Sequence, residues 1–395
     1  MKKTLIAMAA LAASSASFAQ VTITGTVMMG FDATHHSVIA NPLNALGNPT
    51  SKPGVIGDAL KLNANGKPYG DSSGLGVDTA EINFRVIEDL GGGYRAIASM
   101  QLDTVARSGV TGGDTTMTLV TPVGAFALQS IKVADWLSNG PASIGQLGMD
   151  GRTNSSRGFQ DVAAFVTKLA PTTTITLSHG ENAQFGATTA GLGLGTGAAG
   201  AASANTGGFA QFGQMQRNNG IGVTYMSGAL VASAQYLNYD QSTDGYDLSI
   251  KNVTRAQASY DFGSVKVFGG AISTGLGGGN LFNGVLALGV PAGSWYFTGS
   301  YNNSVLSGTS GYLGPIFAQP VTALGGASIY QALGCSNTTG CGAGSLDSNT
   351  SGYTLSAQYN FSKSTNAVVS YRNWAFNVNA VDRDSEFEIA LVKNF

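Results

Sequence analysis

The sequence predicts an all-β fold, a 16-stranded antiparallel transmembrane β-barrel with short turns at one end and long loops at the other. Three observations predict it. Apolar and polar residues alternate with a period of two along much of the chain. Tight turns rich in Gly, Pro, Asp and Ser join pairs of alternating runs. Beyond the N-terminal segment, no run approaches the roughly 18 apolar residues that a spanning helix needs.

The N-terminal segment reads MKKTLIAMAALAASSASFAQ. Lys2 and Lys3 form a basic start, Leu5 to Ala13 a short apolar stretch, and Ser17 and Ala19 a small-residue cleavage site before Gln20. That order predicts a cleavable signal peptide over residues 1–19 and leaves residues 20–395 for the barrel. The whole chain has 20 basic and 22 acidic residues, so losing two lysines gives 18 against 22, a mature charge of -4. Such a mild charge speaks against a nucleic-acid partner. Charged residues are only 11% of the chain, below the usual quarter or so of a soluble domain. Glycine is abundant, at 56, but falls at no fixed third position, which excludes collagen. An exported chain of this kind either stays soluble or enters an outer membrane as a barrel.

The elements follow in order. In VTITGTVMMGF, Val21, Ile23, Val27 and Met29 face one way, and Thr22, Thr24, Thr26 and Met28 the other. In AEINFRVIE, Ile82, Phe84 and Val86 oppose Glu81, Asn83 and Arg85. YRAIASMQLD sets Tyr94, Ala96, Ala98, Met100 and Leu102 against Arg95, Ser99, Gln101 and Asp103. GYTLSAQYNF repeats the pattern with Tyr353, Leu355, Ala357 and Tyr359. Seven tight turns are expected: Asp89–Gly92, Pro122–Gly124, Leu169–Thr172, Ser227–Ala229, Asp261–Ser264, Pro291–Gly293 and Ser362–Ser364. Eight longer connections alternate with them, the longest near Asp32–Val77, Lys132–Thr153, Asn182–Asn218 and Ser304–Ser351. Seven turns and eight loops require 16 strands, with both chain ends on the short-turn, periplasmic side. Strands of about ten residues suffice to cross a bilayer when tilted.

Aromatic residues follow the turns. Tyr94, Tyr225, Tyr260, Phe262, Trp295, Tyr359 and Phe361 predict one interfacial girdle, and Tyr236, Tyr301, Tyr353 and Tyr371 the other. The closing EFEIALVKNF is read as the last strand, paired with VTITGTVMMGF so that no edge stays open in lipid. Phe387, Ile389 and Leu391 then face lipid, Glu388 and Ala390 face the lumen, and Phe395 sits at the periplasmic rim. Lys393 falls on the lipid row near the interface, where its amine snorkels to water.

The low-complexity stretch from Gly186 lacks a P-loop lysine and reads as a surface loop. Cys335 and Cys341, in GCSNTTGCG, read as a local disulfide in an exported chain; the alternative is two free thiols. Catalysis finds little support. The histidines are His35, His36 and His179, no GxSxG is present, and no metal or cofactor is expected, so the chain is not read as an enzyme.

Around VIEDLGGGYRA, and over most of the mature chain outside the long loops, the sequence resembles the trimeric general porins of β-proteobacteria. Glu88 to Gly93 with Arg95 matches the family's second hairpin, and VTITG is similar to its first strand. Arg152, Asn154 and Ser155 stand where the family has an Arg followed by Asn-Ser. VLALGVPAGSWYF and YNFSKST resemble two further hairpins, and the chain ends on the family's terminal Phe. The resemblance implies a homotrimer in outer-membrane lipid, a third long loop folded into the lumen, and Phe395 as the mark read by the outer-membrane assembly machinery. It also implies a cationic lumen wall facing an acidic third loop. Here the wall departs from that pattern. Glu81 replaces a family Arg, Met28 a family Asp, and Gln129 and Ser130 a Gly-Arg.

Alternation places Glu81, Arg85, Arg95, Gln101, Asp103, Arg255 and Arg372 on lumen faces. The third long loop, KVADWLSNGPASIGQLGMDGRT, carries Asp135 and Asp150, with Arg152 and Arg157 at its end. The expected function is a water-filled channel for passive diffusion of ions and small hydrophilic solutes, with weak ion selectivity. A second reading is a solute-specific channel with Asp135 and Trp136 contacting the ligand. A third is an outer-membrane adhesin or enzyme that works through its long loops.

Overall fold

A computed structural model of the protein describes residues 20–35, 72–106, 109–143, 147–149, 153–154, 159–183, 215–240, 250–276, 279–308, 348–377 and 383–395. Sixteen strands close into one antiparallel barrel, each pairing with its neighbours in sequence and β16 returning to β1. They are β1 (Gln20–His35), β2 (Ser72–Gly91), β3 (Tyr94–Ala106), β4 (Gly109–Thr121), β5 (Gly124–Lys132), β6 (Phe159–Ala170), β7 (Thr173–Ala183) and β8 (Met215–Ser227). There follow β9 (Leu230–Tyr239), β10 (Ile250–Asp261), β11 (Lys266–Leu276), β12 (Gly279–Ala292), β13 (Trp295–Gly308), β14 (Ser348–Ser362), β15 (Thr365–Asn377) and β16 (Arg383–Asn394). All seven expected tight turns lie at the β2–β3, β4–β5 and later even-to-odd junctions.

The alternation is realised as a lipid-facing skin and a polar inner wall. Ile23, Leu128, Leu286, Leu355 and Ile389 are exposed on the outside, whereas Asn302, Ser304, Thr354, Ser356 and Glu386 are buried on the inside. An apolar outer face exposed in the isolated chain is what hydrocarbon covers. The periplasmic girdle is packed, not scattered. Trp295 stacks on Phe297 at 5.8 Å and meets Tyr359 edge-on at 4.9 Å, and Tyr359 continues to Phe361 at 5.0 Å.

Several strands run longer than expected. β1 spans 16 residues and β2 spans 20, against the ten or so a bilayer needs. The Gly- and Ser-rich segments assigned to loops pair instead, because a neighbouring strand offers each a ladder. Two of the eight connections on that side are correspondingly short, with β3 ending at Ala106 before β4 at Gly109, and β11 ending at Leu276 before β12 at Gly279.

The seam runs from Thr26 opposite Asn394 to His35 opposite Ser385. It finishes on a reciprocal pair. The Phe395 N–H donates to the Gly25 carbonyl at 3.0 Å, and the Gly25 N–H donates to the Phe395 carbonyl at 2.9 Å. The Phe395 ring occupies the space a side chain at residue 25 would need, since a Cβ there would come within 2.5 Å of it. Glycine is therefore the seat of the terminal aromatic. Nearby, the Lys393 amine donates to the Ser364 and Thr365 hydroxyls at 2.7 and 3.1 Å, the interfacial escape expected of it.

Candidate pore and constriction

The third long loop leaves β5 and crosses to the opposite inner wall. Asp135 shapes its start by accepting the Leu137 N–H at 2.9 Å. Leu137 is buried in an apolar patch made by Phe268 of β11 and Val285 and Ala287 of β12. An apolar patch on the inside of a wet barrel needs such a cover. Asn139 donates to Gln257 at 3.4 Å, and the short 3-10 turn Gly140–Ser143 packs on β11, β12 and β13. The loop then reaches β14 and β15. The Thr354 hydroxyl donates to the Leu147 carbonyl at 3.2 Å, and Met149 lies against Gly352. Asn154 donates to the Asn302 side chain of β13 at 3.0 Å.

Two arginines expected on the lumen face instead hold this loop. The Arg255 guanidinium lies 4.8 Å from the Trp136 ring centre and donates to Gln235 at 2.6 Å, which leaves it only 7% exposed. Arg372 donates to the Gly148 carbonyl and to Glu386, with its Nε 2.8 Å from the carboxylate. Both face inward, but neither is open to a passing solute. Trp136, expected as a ligand contact in the solute-specific reading, is taken up by Arg255.

The inner face of β1 to β3 is uncovered by comparison. Thr22, Thr24, Arg85, Arg95 and Asp103 are exposed there. Glu81 is half-buried and accepts from Gln101 at 2.6 Å, which positions it on the wall between β1 and β3. Arg85 lies opposite Thr22 and Ser99. Arg95 lies opposite Asp89, one residue past the turn, so it stands at the periplasmic mouth. Asp103 pairs with Thr111 towards the loop end of β3. Gln129 is on the inner face and Ser130 on the outer face of β5. Asp150, Arg152, Arg157, His36, Cys335 and Cys341 lie outside the described residues.

Sequence reasoning placed Glu388 on the lumen face but missed the group of inward acids it joins at the seam. Asp32 of β1 lies opposite Glu388 of β16, with Glu386 and Asp384 farther along the same face. The signal was present in EFEIALVKNF, where Glu388 alternates inward, but its facing partner depends on the closure register. Met28, where the family has Asp, is fully buried on the inner face with Val368, Ala390 and Val392.

Comparison with known proteins bears on this arrangement. A sequence comparison with curated proteins finds no match. Among solved structures, the chain is similar to an anion-selective porin from Comamonas acidovorans, at 16% identity and a TM-score of 0.57, covering 96% of this chain and 100% of that one. It is similar to the outer-membrane channel DcaP of Acinetobacter baumannii, at 12% identity and a TM-score of 0.57, covering 96% and 98%. It is also similar to a trimer form of OmpT from Vibrio cholerae, at 10% identity and a TM-score of 0.56, covering 95% and 99%. At these identities the likeness speaks to fold alone. The family model described as Gram-negative porin matches residues 4–377. The chain belongs to the Gram-negative porin family, and its closed barrel is an outer-membrane channel for passive diffusion.

Proposed function

We propose that the chain is a general diffusion porin with weak ion selectivity, working as a homotrimer after removal of residues 1–19. The observation that carries this is the docking of the third loop on the β10–β15 wall, opposite an uncovered polar wall on β1 to β3. Such a pore sorts solutes by size and field, with no side-chain set shaped for one ligand. Weak selectivity follows from the charges left open. Arg85 and Arg95 face Glu81 and Asp103 on the same wall, while Arg255 and Arg372 are spent on the loop. Along β2 and β3, cations and anions then meet comparable fields.

Trimer formation has support in the outer skin. Outward Tyr and Trp residues mark a lipid interface. Tyr225, Tyr236, Tyr260, Trp295, Tyr301, Tyr353, Tyr359 and Tyr371 lie on β8 to β15, whereas Tyr94 is the one outward Tyr or Trp among the described residues of β16 and β1 to β7. The arc without them suits contact with a second copy.

Liposome swelling checks the reading. Proteoliposomes in isotonic sugars should swell at rates that fall smoothly with solute size and stay linear in concentration. Uptake that saturates for one solute, with others excluded at equal size, would favour the solute-specific channel instead.

A further inference from the structure

We infer that Asp32 and Glu388 form a station for a small monovalent cation on the inner wall of the β1–β16 seam. The inference rests on the channel reading above and adds a site to it. The two residues are directly opposed across the seam, both on the inner face. Like charges facing one another on paired strands destabilise the sheet unless something positive joins them. Asp78, the extra residue at the bulge where β2 passes Met28 and Met29, and Glu386 add their fields at Glu388.

Glu388 is the second and independent observation. It is only 4% exposed, and its Oε2 has no hydrogen-bond partner. A carboxylate that dry needs donors, a counter-charge or a proton. Two nearby donors are already used. Ser370, its neighbour on β15, donates its hydroxyl proton to Ser356 at 2.9 Å. Arg372, the positive side chain whose field reaches Glu388, spends its guanidinium on Glu386 and the Gly148 carbonyl. On the periplasmic side, Ala390, Val368, Met28 and Val392 are apolar and buried. On this inference the positive partner of Glu388 comes from solution, past the exposed Asp32. Among the described residues no group of three His, Cys, Asp or Glu side chains is placed to hold a metal ion. That suits a partly hydrated alkali or ammonium ion rather than a chelated divalent metal.

The test is the zero-current potential of the intact protein in planar bilayers under a potassium chloride gradient. Glu388→Gln and Asp32→Asn should each lower the potassium-to-chloride permeability ratio by about twofold or more near ~0.1 M salt, and the difference should shrink towards ~1 M as screening sets in. Asp32 is exposed, so its amide variant carries the test if Glu388→Gln fails to insert. Conducting channels whose ratio is unchanged in both variants would overturn the station while leaving the porin reading intact. An amide variant that changes conductance without changing the ratio would also overturn it, since that is a steric effect. Bilayers silent with every protein would overturn both.

Discussion

Deleting Phe395 should lower the amount of folded protein in the outer membrane by about tenfold or more, while the barrels that do assemble conduct normally. The deletion removes the last reciprocal hydrogen bonds of the seam, those with Gly25. Two backbone bonds at about 1 kcal/mol each, together with the ring's contact, amount to roughly 2–3 kcal/mol. That falls at the one junction whose partners are farthest apart in sequence, where closing the chain costs most entropy. Gly25→Leu separates the seat of the terminal aromatic from the assembly mark that the resemblance implies for it. It keeps Phe395 but fills its seat, where a Cβ would lie 2.5 Å from both the ring and the Glu81 carbonyl. If the seat matters, Gly25→Leu also assembles poorly. Quantitative immunoblots of outer-membrane fractions read both variants, and wild-type levels of the deletion would contradict the account of the seam.

Arg372→Ala carries the largest expected loss of stability in the folded barrel. Arg372 and Glu386 form a buried ion pair, with side chains 10% and 9% exposed. Removing one partner strands the other charge, at a cost of about 3–5 kcal/mol. The same substitution releases the Gly148 carbonyl, and so the far end of the third loop. Heating followed by circular dichroism should show unfolding at a clearly lower temperature. Single-channel records should show larger and noisier currents as the loop lifts from β14 and β15. Arg372→Lys should fall between, because one ammonium cannot span a carboxylate and a carbonyl as a guanidinium fork does. A thermal midpoint and current noise equal to wild type would show that the loop is held elsewhere.

These two sites also show what the sequence made legible. The period of two depends on each strand's own residues, so the faces of VTITGTVMMGF, AEINFRVIE and EFEIALVKNF were readable directly, as were the turns that punctuate them. Strand ends were not. Whether Gly and Ser segments such as Ser72 to Gly76 pair depends on a neighbouring strand reaching them, and here β1 does. The site was half legible for the same reason. Alternation put Arg255 and Arg372 on the inner face, and they are there. It could not show that a loop 118 residues away in sequence, through Asn139 and Gln257, would cover that wall and take both arginines out of the lumen. The opposition of Asp32 and Glu388 was hidden likewise, because a one-residue change in closure register would have placed Asp32 opposite a lipid-facing residue.

The claim on which the rest depends is that this barrel encloses a continuous water path narrowed by a docked loop. Single-channel recording of the purified wild-type protein in a planar bilayer tests it most directly. Current should rise in discrete steps, vary linearly with voltage, and, if three pores insert together, close in three equal sublevels at high voltage. Correctly folded, heat-resistant protein that inserts and leaves the bilayer silent would contradict the account.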